Sequence, residues 1–300
     1  MLSKIHHYNN PGLLVQDCYN LYFEELKFSL SGKHDLVAIN EIRPGGTLGV
    51  FSRAVIDGKN RFIKTHMKGN EYRNNLLKEI NILKALYGDY LDIAQEDIII
   101  GGGKQTFLIM DFLESFEEPL TLEEVQSIIE DYSHKLSSIG KHPTLDGVYS
   151  ITELYDTAVN ALLLLYDKGL IENKIYQECS RHLDYVNEIM KRSDELVLSH
   201  GDLSNKNIMR LGNKPIIIDW EDCIIGVKDY DLCYWLTFFD QRVYYNQSLL
   251  SVTNIDADRL KALMIFVTIL KCFLSYQNNT FHSNALSFDR RLEEILLIKQ

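Results

Sequence analysis

The chain has 300 residues, long enough for one large domain or two lobes, and its composition of 46% hydrophobic and 24% charged residues is that of a folded globular protein. A formal net charge of −11 argues against sequence-independent binding to DNA or RNA, where lysine and arginine must neutralise phosphate, and against an anionic membrane surface. The five cysteines are scattered and form no CxxC, which excludes a disulfide framework or a zinc site of the usual spacing and fits a reducing compartment.

The first residues, MLSKIHHYNN, have no apolar signal core. The longest late apolar run, Ala262 to Leu270, is broken by Lys271 and is too short to span a bilayer. The expectation is a cytoplasmic protein with no membrane insertion. From about residue 36 to 66 the pattern reads as strands: LVAINEI, a PGGTLG turn, VFSRAVID, an Asp57-Gly58-Lys59-Asn60 turn, and RFIKTHM. Asp-Gly between β-prone runs is a hairpin signal. Residues 71–87 read as a helix, with Leu76, Ile80, Leu83 and Tyr87 at spacings of three and four. EDIII and QTFLIMDFLE form a second hairpin around Gly101-Gly102-Gly103-Lys104. The first ~112 residues are thus a β-rich unit with one long helix.

After Pro119 the character becomes helical. Thr121 and Glu124 make a capping box at the head of the next helix. Residues 151–192 read as two more helices, and 230–245, 256–276 and 287–299 as a helical C-terminal end. The fold class is α+β and bilobal: residues 1–113 form a small β-rich lobe, residues 114–300 a larger, mainly helical one.

The stretch LSHGDLSNKNIMRLGNKPIIIDWEDC, residues 198–223, carries the chemistry. A His, an Asp and an Asn crowd into one loop, and the apolar run after it stops on Asp219. Phosphoryl transfer explains this set. A divalent cation on a triphosphate needs oxygen ligands, which Asn207 and Asp219 supply. The attacking hydroxyl needs a carboxylate to orient it and take its proton, a role open to Asp202. The competing structural account is a polar turn followed by a strand-capping Asp.

HGDLSNKNIM resembles the catalytic loop of the aminoglycoside phosphotransferase/choline kinase superfamily, relatives of the protein kinases. IIIDWEDC stands where a kinase has DFG, and GVKDYDLCYWL resembles the segment that follows. The resemblance implies ATP and Mg2+ as cofactors and a small-molecule alcohol as partner. His200 falls within the matched loop, and Asp231 becomes the carboxylate that supports it; the bland alternative for Asp231 is a helix N-cap. The resemblance also makes Lys64 the lysine on the α/β-phosphates and Glu79 its helix partner, chosen over Glu71. Gly45 and Gly46 lie in the first turn, where glycine lets backbone approach phosphate; a plain hairpin turn explains them as well. Backbone groups of Asp111, Phe112 and Leu113 fall where the superfamily meets adenine. Gly101-Gly102-Gly103-Lys104 is no Walker A loop, because Gln105 replaces the required Ser/Thr and position 98 is Ile.

Gly201 stands where a protein kinase carries Arg beside its catalytic Asp, and only eleven residues separate Asp219 from Asp231. That leaves no room for an activation loop and peptide platform, so a small acceptor is expected over a protein. Glu221 and Trp235 are weak candidates for contacts to a cationic acceptor such as an amino alcohol or an aminoglycoside; Glu221 is equally open to holding metal or facing solvent, and Trp235 to a place in the core. The alternative from another class is a catalytically silent kinase-fold binding protein.

Overall fold

The computed structural model describes residues 16–42, 49–66, 70–100, 103–139, 148–245, 249–283 and 285–298. Helix α1 (Gln16–Ser31) precedes three strands, β1 (Leu36–Ile42), β2 (Gly49–Ile56) and β3 (Lys59–His66). Helix α2 (Asn70–Tyr87) follows, then β4 (Ile93–Ile100) and β5 (Gly103–Asp111). The five strands form one antiparallel sheet in the order β1-β2-β3-β5-β4. Asp57 and Gly58 turn β2 into β3 with φ of 50° and 73°. Two successive positive φ values match the twist of the flanking strands, and glycine takes the second at no steric cost.

The two faces of this sheet are covered differently. One buries Val50, Ala54, Ile63, Phe107 and Ile109 under Leu26 and Leu30 of α1. The expectation of one long helix in this half missed α1. Its signal was the four-residue spacing of Leu26 and Leu30, both fully buried. The other face meets α2, whose Leu76, Ile80, Leu83 and Tyr87 are all buried, as their spacing predicts. That core runs on without a break into the helical half.

Past β5, the two-residue strand β6 (Glu114–Ser115) leaves the large sheet and pairs with β9 of another. Helix α3 (Leu122–Ile139) starts at the expected capping box: Glu124 accepts the Thr121 N–H at 2.8 Å and Thr121 Oγ1 accepts the Glu124 N–H at 3.3 Å. After β7 (Tyr149–Ser150) come α4 (Ile151–Asp167) and α5 (Asn173–Met190). Strands β8 (Leu196–Ser199), β9 (Ile208–Leu211), β10 (Lys214–Ile217) and β11 (Ile224–Val227) then carry the 198–223 stretch. β9 and β10 form a hairpin; β11 lies between β7 and β8.

The C-terminal end comprises α6 (Tyr230–Leu236), α7 (Leu249–Thr253), α8 (Ala257–Gln277) and α9 (Phe288–Leu296). The helix expected over 230–245 stops early, and a 3-10 segment over Phe239–Tyr244 replaces its second half. Thr237 Oγ1 donates to the Tyr234 carbonyl at 2.7 Å, competing locally with the helical ladder. α8 is long and apolar enough to cross a membrane. It packs instead against α4, α5, α6 and α9, with every residue from Ala262 to Leu270 buried.

Candidate active site

The loop after β8 is held from beneath by one carboxylate. Asp231, in the first turn of α6, accepts the N–H groups of His200 at 2.8 Å and Gly201 at 3.0 Å, and the Tyr132 hydroxyl at 2.6 Å. Three donors on a buried acceptor fix the loop's path. The N-cap alternative for Asp231 fails, because Asp229 occupies that position. His200 is fully buried. Its Nδ1 lies 3.2 Å from the Asp202 N–H and its Nε2 lies 2.9 Å from the Ile218 carbonyl. The backbone donor at Nδ1 and acceptor at Nε2 select the neutral tautomer protonated on Nε2. The ring thus ties the loop to the strand end that precedes Asp219. Gly201 sits at φ 83°, and a Cβ there would lie 2.1 Å from the Asp222 carbonyl oxygen. No side chain fits, which is the local reason that no arginine stands beside Asp202.

Asp202 is buried at the loop's centre and accepts the Tyr234 hydroxyl on Oδ1. Burial pushes the Tyr234 phenol well above its ordinary pKa, and the Asp202 charge pushes it further. Asn207 donates from Nδ2 to the Asp202 carbonyl at 2.9 Å. That bond orients the amide.

Asp219 follows β10 in the left-handed region, with φ 68° and ψ 47°. Asp tolerates this conformation better than most residues. Its N–H donates to Glu79 Oε1 at 2.8 Å. Lys64 Nζ, from β3, meets three carboxylates: Glu79 Oε2 at 2.7 Å, Asp219 Oδ1 at 2.8 Å and Glu221 Oε1 at 2.8 Å. Burial alone would pull the Lys64 pKa down, but attraction to Asp219, Glu221 and Glu79 holds it well above the ordinary lysine value. Burial raises the Glu79 pKa, repulsion from Glu221 and Asp219 adds to it, and Lys64 opposes both. Ligand oxygens of Glu79, Asp219 and Glu221 lie within 4.8 Å of one another. Three carboxylates gathered on one ammonium make an oxygen-rich set of the kind that a divalent cation takes. The Asp219 side chain remains 42% exposed, so the cluster has an open side.

The remaining expected residues divide. Trp235 does not face an acceptor: it is fully buried and its Nε1 donates to Asn205 Oδ1 at 2.6 Å. Glu221 is drawn to Lys64, beside Glu79 and Asp219, because a buried ammonium attracts it more strongly than open solvent does. In the hinge, the Asp111 N–H is bonded to the Asp92 carbonyl and the Phe112 N–H to the Asn60 carbonyl, both at 3.1 Å. Those two N–H groups are already committed; the Leu113 N–H has no such partner among the described residues. The Asp111 side chain pairs with Arg61 at 2.8 Å. Gly45 and Gly46 lie outside the described residues. Lys104 opens β5 and pairs with Asp97 at 2.8 Å, as a hairpin lysine does. Sequence reasoning missed Tyr234 as the partner of Asp202. The three-residue step from Asp231, which puts both on one face of α6, was the available signal.

Residues 154–258 match the model of the phosphotransferase enzyme family, APH. The matched segment contains His200, Asp202, Asn207, Asp219 and Asp231. In that segment the chain is similar to the phosphotransferase enzyme family. The fold likeness to solved phosphotransferase structures extends over nearly the whole chain. Aminoglycoside phosphotransferase APH(4)-Ia superposes with a TM-score of 0.60 at 12% identity, over 93% of this chain and 99% of that one. The GDP complex of an aminoglycoside 2'-phosphotransferase-IIIa variant gives 0.59 at 16%, over 92% and 94%. A microcompartment-associated aminopropanol kinase gives 0.57 at 13%, over 91% and 94%. No curated protein sequence matches the chain.

Proposed function

We propose that the chain transfers the γ-phosphoryl group of ATP, as its magnesium complex, to a hydroxyl of a small molecule. The observation that carries this reading is the convergence of Asp202, Asn207, Asp219 and the Lys64–Glu79 pair from two differently built halves. We take residues 1–113 as the nucleotide-binding lobe with its hinge, and residues 114–300 as the catalytic and acceptor-binding lobe.

The donor set suits the cofactors. Asn207, Asp219 and Glu221 offer only oxygen, the ligand type that Mg2+ prefers, and Lys64 adds one fixed cation for phosphate. When bound, Mg–ATP supplies the phosphoryl group and the metal charge that offsets its oxygens. The protein contributes position and a proton acceptor. Glu79 holds Lys64 at the phosphates, and its second oxygen fixes the Asp219 backbone. Asn207 would hold the metal through its amide oxygen, while its Nδ2 braces the loop. Asp202, steadied by Tyr234, orients the incoming hydroxyl and takes its proton as the O–P bond forms. The Leu113 N–H is the hinge donor open to adenine.

A cationic acceptor, such as choline, ethanolamine or an aminoglycoside, was expected from Glu221 and Trp235. Glu221 is engaged by Lys64 and Trp235 is buried, so neither supports that choice. Asp202, Asn207 and Asp219 together favour an enzyme over a silent binding protein, since binding alone has no use for the full set. The test is ADP release at saturating Mg–ATP over a panel of small alcohols. Release that depends on an alcohol and disappears in Asp202→Ala supports the proposal; release that is indifferent to that substitution refutes it.

A further inference from the structure

Strand β10 is an edge strand of the sheet β10-β9-β6. Backbone N–H groups alternate in direction along a strand. The Ile218 N–H points inward and donates to the Asn207 carbonyl, just before β9, at 2.9 Å. Those of positions 215, 217 and 219 therefore point outward. Position 215 is proline and has none. The Asp219 N–H goes to Glu79 at 2.8 Å, and the Ile217 N–H donates to the Tyr87 hydroxyl at 3.0 Å. Both outward donors thus end on α2. We infer that Tyr87 is a positioning residue: together with Glu79 it pins the end of β10 from α2, and so places the Asp219 carboxylate for the divalent cation. The inference rests on the reading of Asp219 as a metal ligand.

The approach to Asp219 is held at every backbone polar group. The Ile217 N–H meets Tyr87, and the Ile217 carbonyl accepts the Trp220 Nε1–H at 2.8 Å. The Ile218 N–H meets the Asn207 carbonyl, and the Ile218 carbonyl lies 2.9 Å from His200 Nε2. The Asp219 N–H meets Glu79. Asp219 itself has a left-handed backbone, φ 68°, which is costly for a residue with a Cβ unless its surroundings impose it. Water cannot take the place of Tyr87. Ile217 is fully buried, so an orphaned N–H there would carry its full desolvation cost.

Glu79, Leu83 and Tyr87 recur every four residues on one buried stripe of α2. Leu83 packs in the core, whereas Glu79 and Tyr87 offer acceptors to N–H groups two residues apart. One hydrogen bond would leave the strand end free to pivot; the second removes that freedom. Tyr90 meets the Tyr87 ring edge-on, with centroids 6.1 Å apart, so the ring keeps its place when the hydroxyl is removed. Burial pushes the Tyr87 phenol well above its ordinary pKa, against the pull of the Ile217 N–H. The group is therefore a neutral hydroxyl near pH 7.

The test uses the full chain as wild type, Tyr87→Phe and Thr253→Val. Thr253 gives its buried hydroxyl to the Leu249 carbonyl at 2.9 Å within α7, so that control loses one buried hydrogen bond outside the site. Mn2+ binding in the presence of ADP is read from the EPR signal of the free ion, turnover from ADP release, and stability from denaturant midpoints. Tyr87→Phe should weaken Mn2+ binding about tenfold and raise the Mg2+ concentration for half-maximal turnover by a similar factor, with the KM for the alcohol unchanged. Thr253→Val should lower the midpoint without either shift. A purely structural tyrosine would behave as Thr253 does, and wild-type Mn2+ affinity in folded Tyr87→Phe overturns the inference. Weakened Mn2+ binding in Tyr87→Phe, with no Asp202-dependent turnover in the wild type, upholds the positioning role and overturns the kinase reading. A wild type that binds no Mn2+ with ADP overturns the metal reading of Asp219 and this inference with it. If Tyr87→Phe does not fold, amide exchange in the wild type decides. Exchange of the Ile217 N–H slowed about tenfold by Mg–ADP upholds the link between its bond to Tyr87 and the metal site; exchange indifferent to Mg–ADP overturns it.

Discussion

Glu79 accepts the Asp219 N–H at 2.8 Å, and this hydrogen bond joins helix α2 to the segment just past β10, 140 residues away in the chain. Its other oxygen holds Lys64. One carboxylate thus sets both the lysine proposed to bind phosphate and the aspartate proposed to bind metal. Glu79→Gln retains an acceptor for the Asp219 N–H but loses the charge on Lys64. Hydrogen bonds to charged groups contribute about 1.5–3 kcal/mol, so kcat/KM for ATP should fall about 10- to 100-fold. Lys64 keeps Asp219 and Glu221, and the unfolding free energy should change by less than about 2 kcal/mol. Steady-state kinetics and denaturant unfolding on one preparation check both.

Tyr234→Phe removes the hydroxyl from Asp202 and nothing else. The phenol is buried, so the ring stays packed against Phe238 and Tyr230. A positioning role predicts a fall in kcat of about tenfold or more, with the KM for ATP unchanged. A purely structural role would lower the unfolding midpoint and leave kcat of the folded fraction intact. Kinetics corrected for active protein separate the two.

Gly201→Ala forces a Cβ to 2.1 Å from the Asp222 carbonyl and places alanine at φ 83°. The left-handed backbone alone costs about 1–2 kcal/mol, and the clash adds to it. Loss of activity together with a lower denaturation midpoint is expected. Full activity in this variant would mean that the loop moves freely away from Cys223 and Asp222.

Sequence order carried the proposed catalytic set because loop and strand end are neighbours in the chain. His200, Asp202, Asn207 and Asp219 fall within twenty residues, and local spacing places them on one bend. The sheet was legible for a similar reason, since Asp57-Gly58 and the alternating strands are short-range signals. Helix α1 was not, because the burial of Leu26 and Leu30 depends on a sheet formed later in the chain. For Glu221 and Trp235 the acceptor reading gave way to its alternatives, because burial, a tertiary property, assigned one to Lys64 beside Asp219 and the other to the core.

His182 on α5 offers a pH test away from the active site. Burial lowers its pKa from the ordinary 6.5, and Lys261 lowers it further, against Asp258 and Glu178. The unfolded chain therefore binds a proton that the folded one resists. The stabilisation is complete above pH 6.5 and is lost as pH falls through the depressed native value. Thermal midpoints measured from about pH 7.5 to about pH 5 should fall more steeply for the wild type than for His182→Gln. Parallel curves would contradict this account.

The most direct measurement is phosphoryl transfer by Asp202→Asn, which keeps shape and hydrogen bonding but removes the proton acceptor. With Mg–ATP and an alcohol that the wild type phosphorylates, general-base loss predicts a fall in kcat of about 10²–10⁴-fold, with nucleotide affinity and unfolding midpoint retained. Wild-type turnover in Asp202→Asn would contradict the central claim.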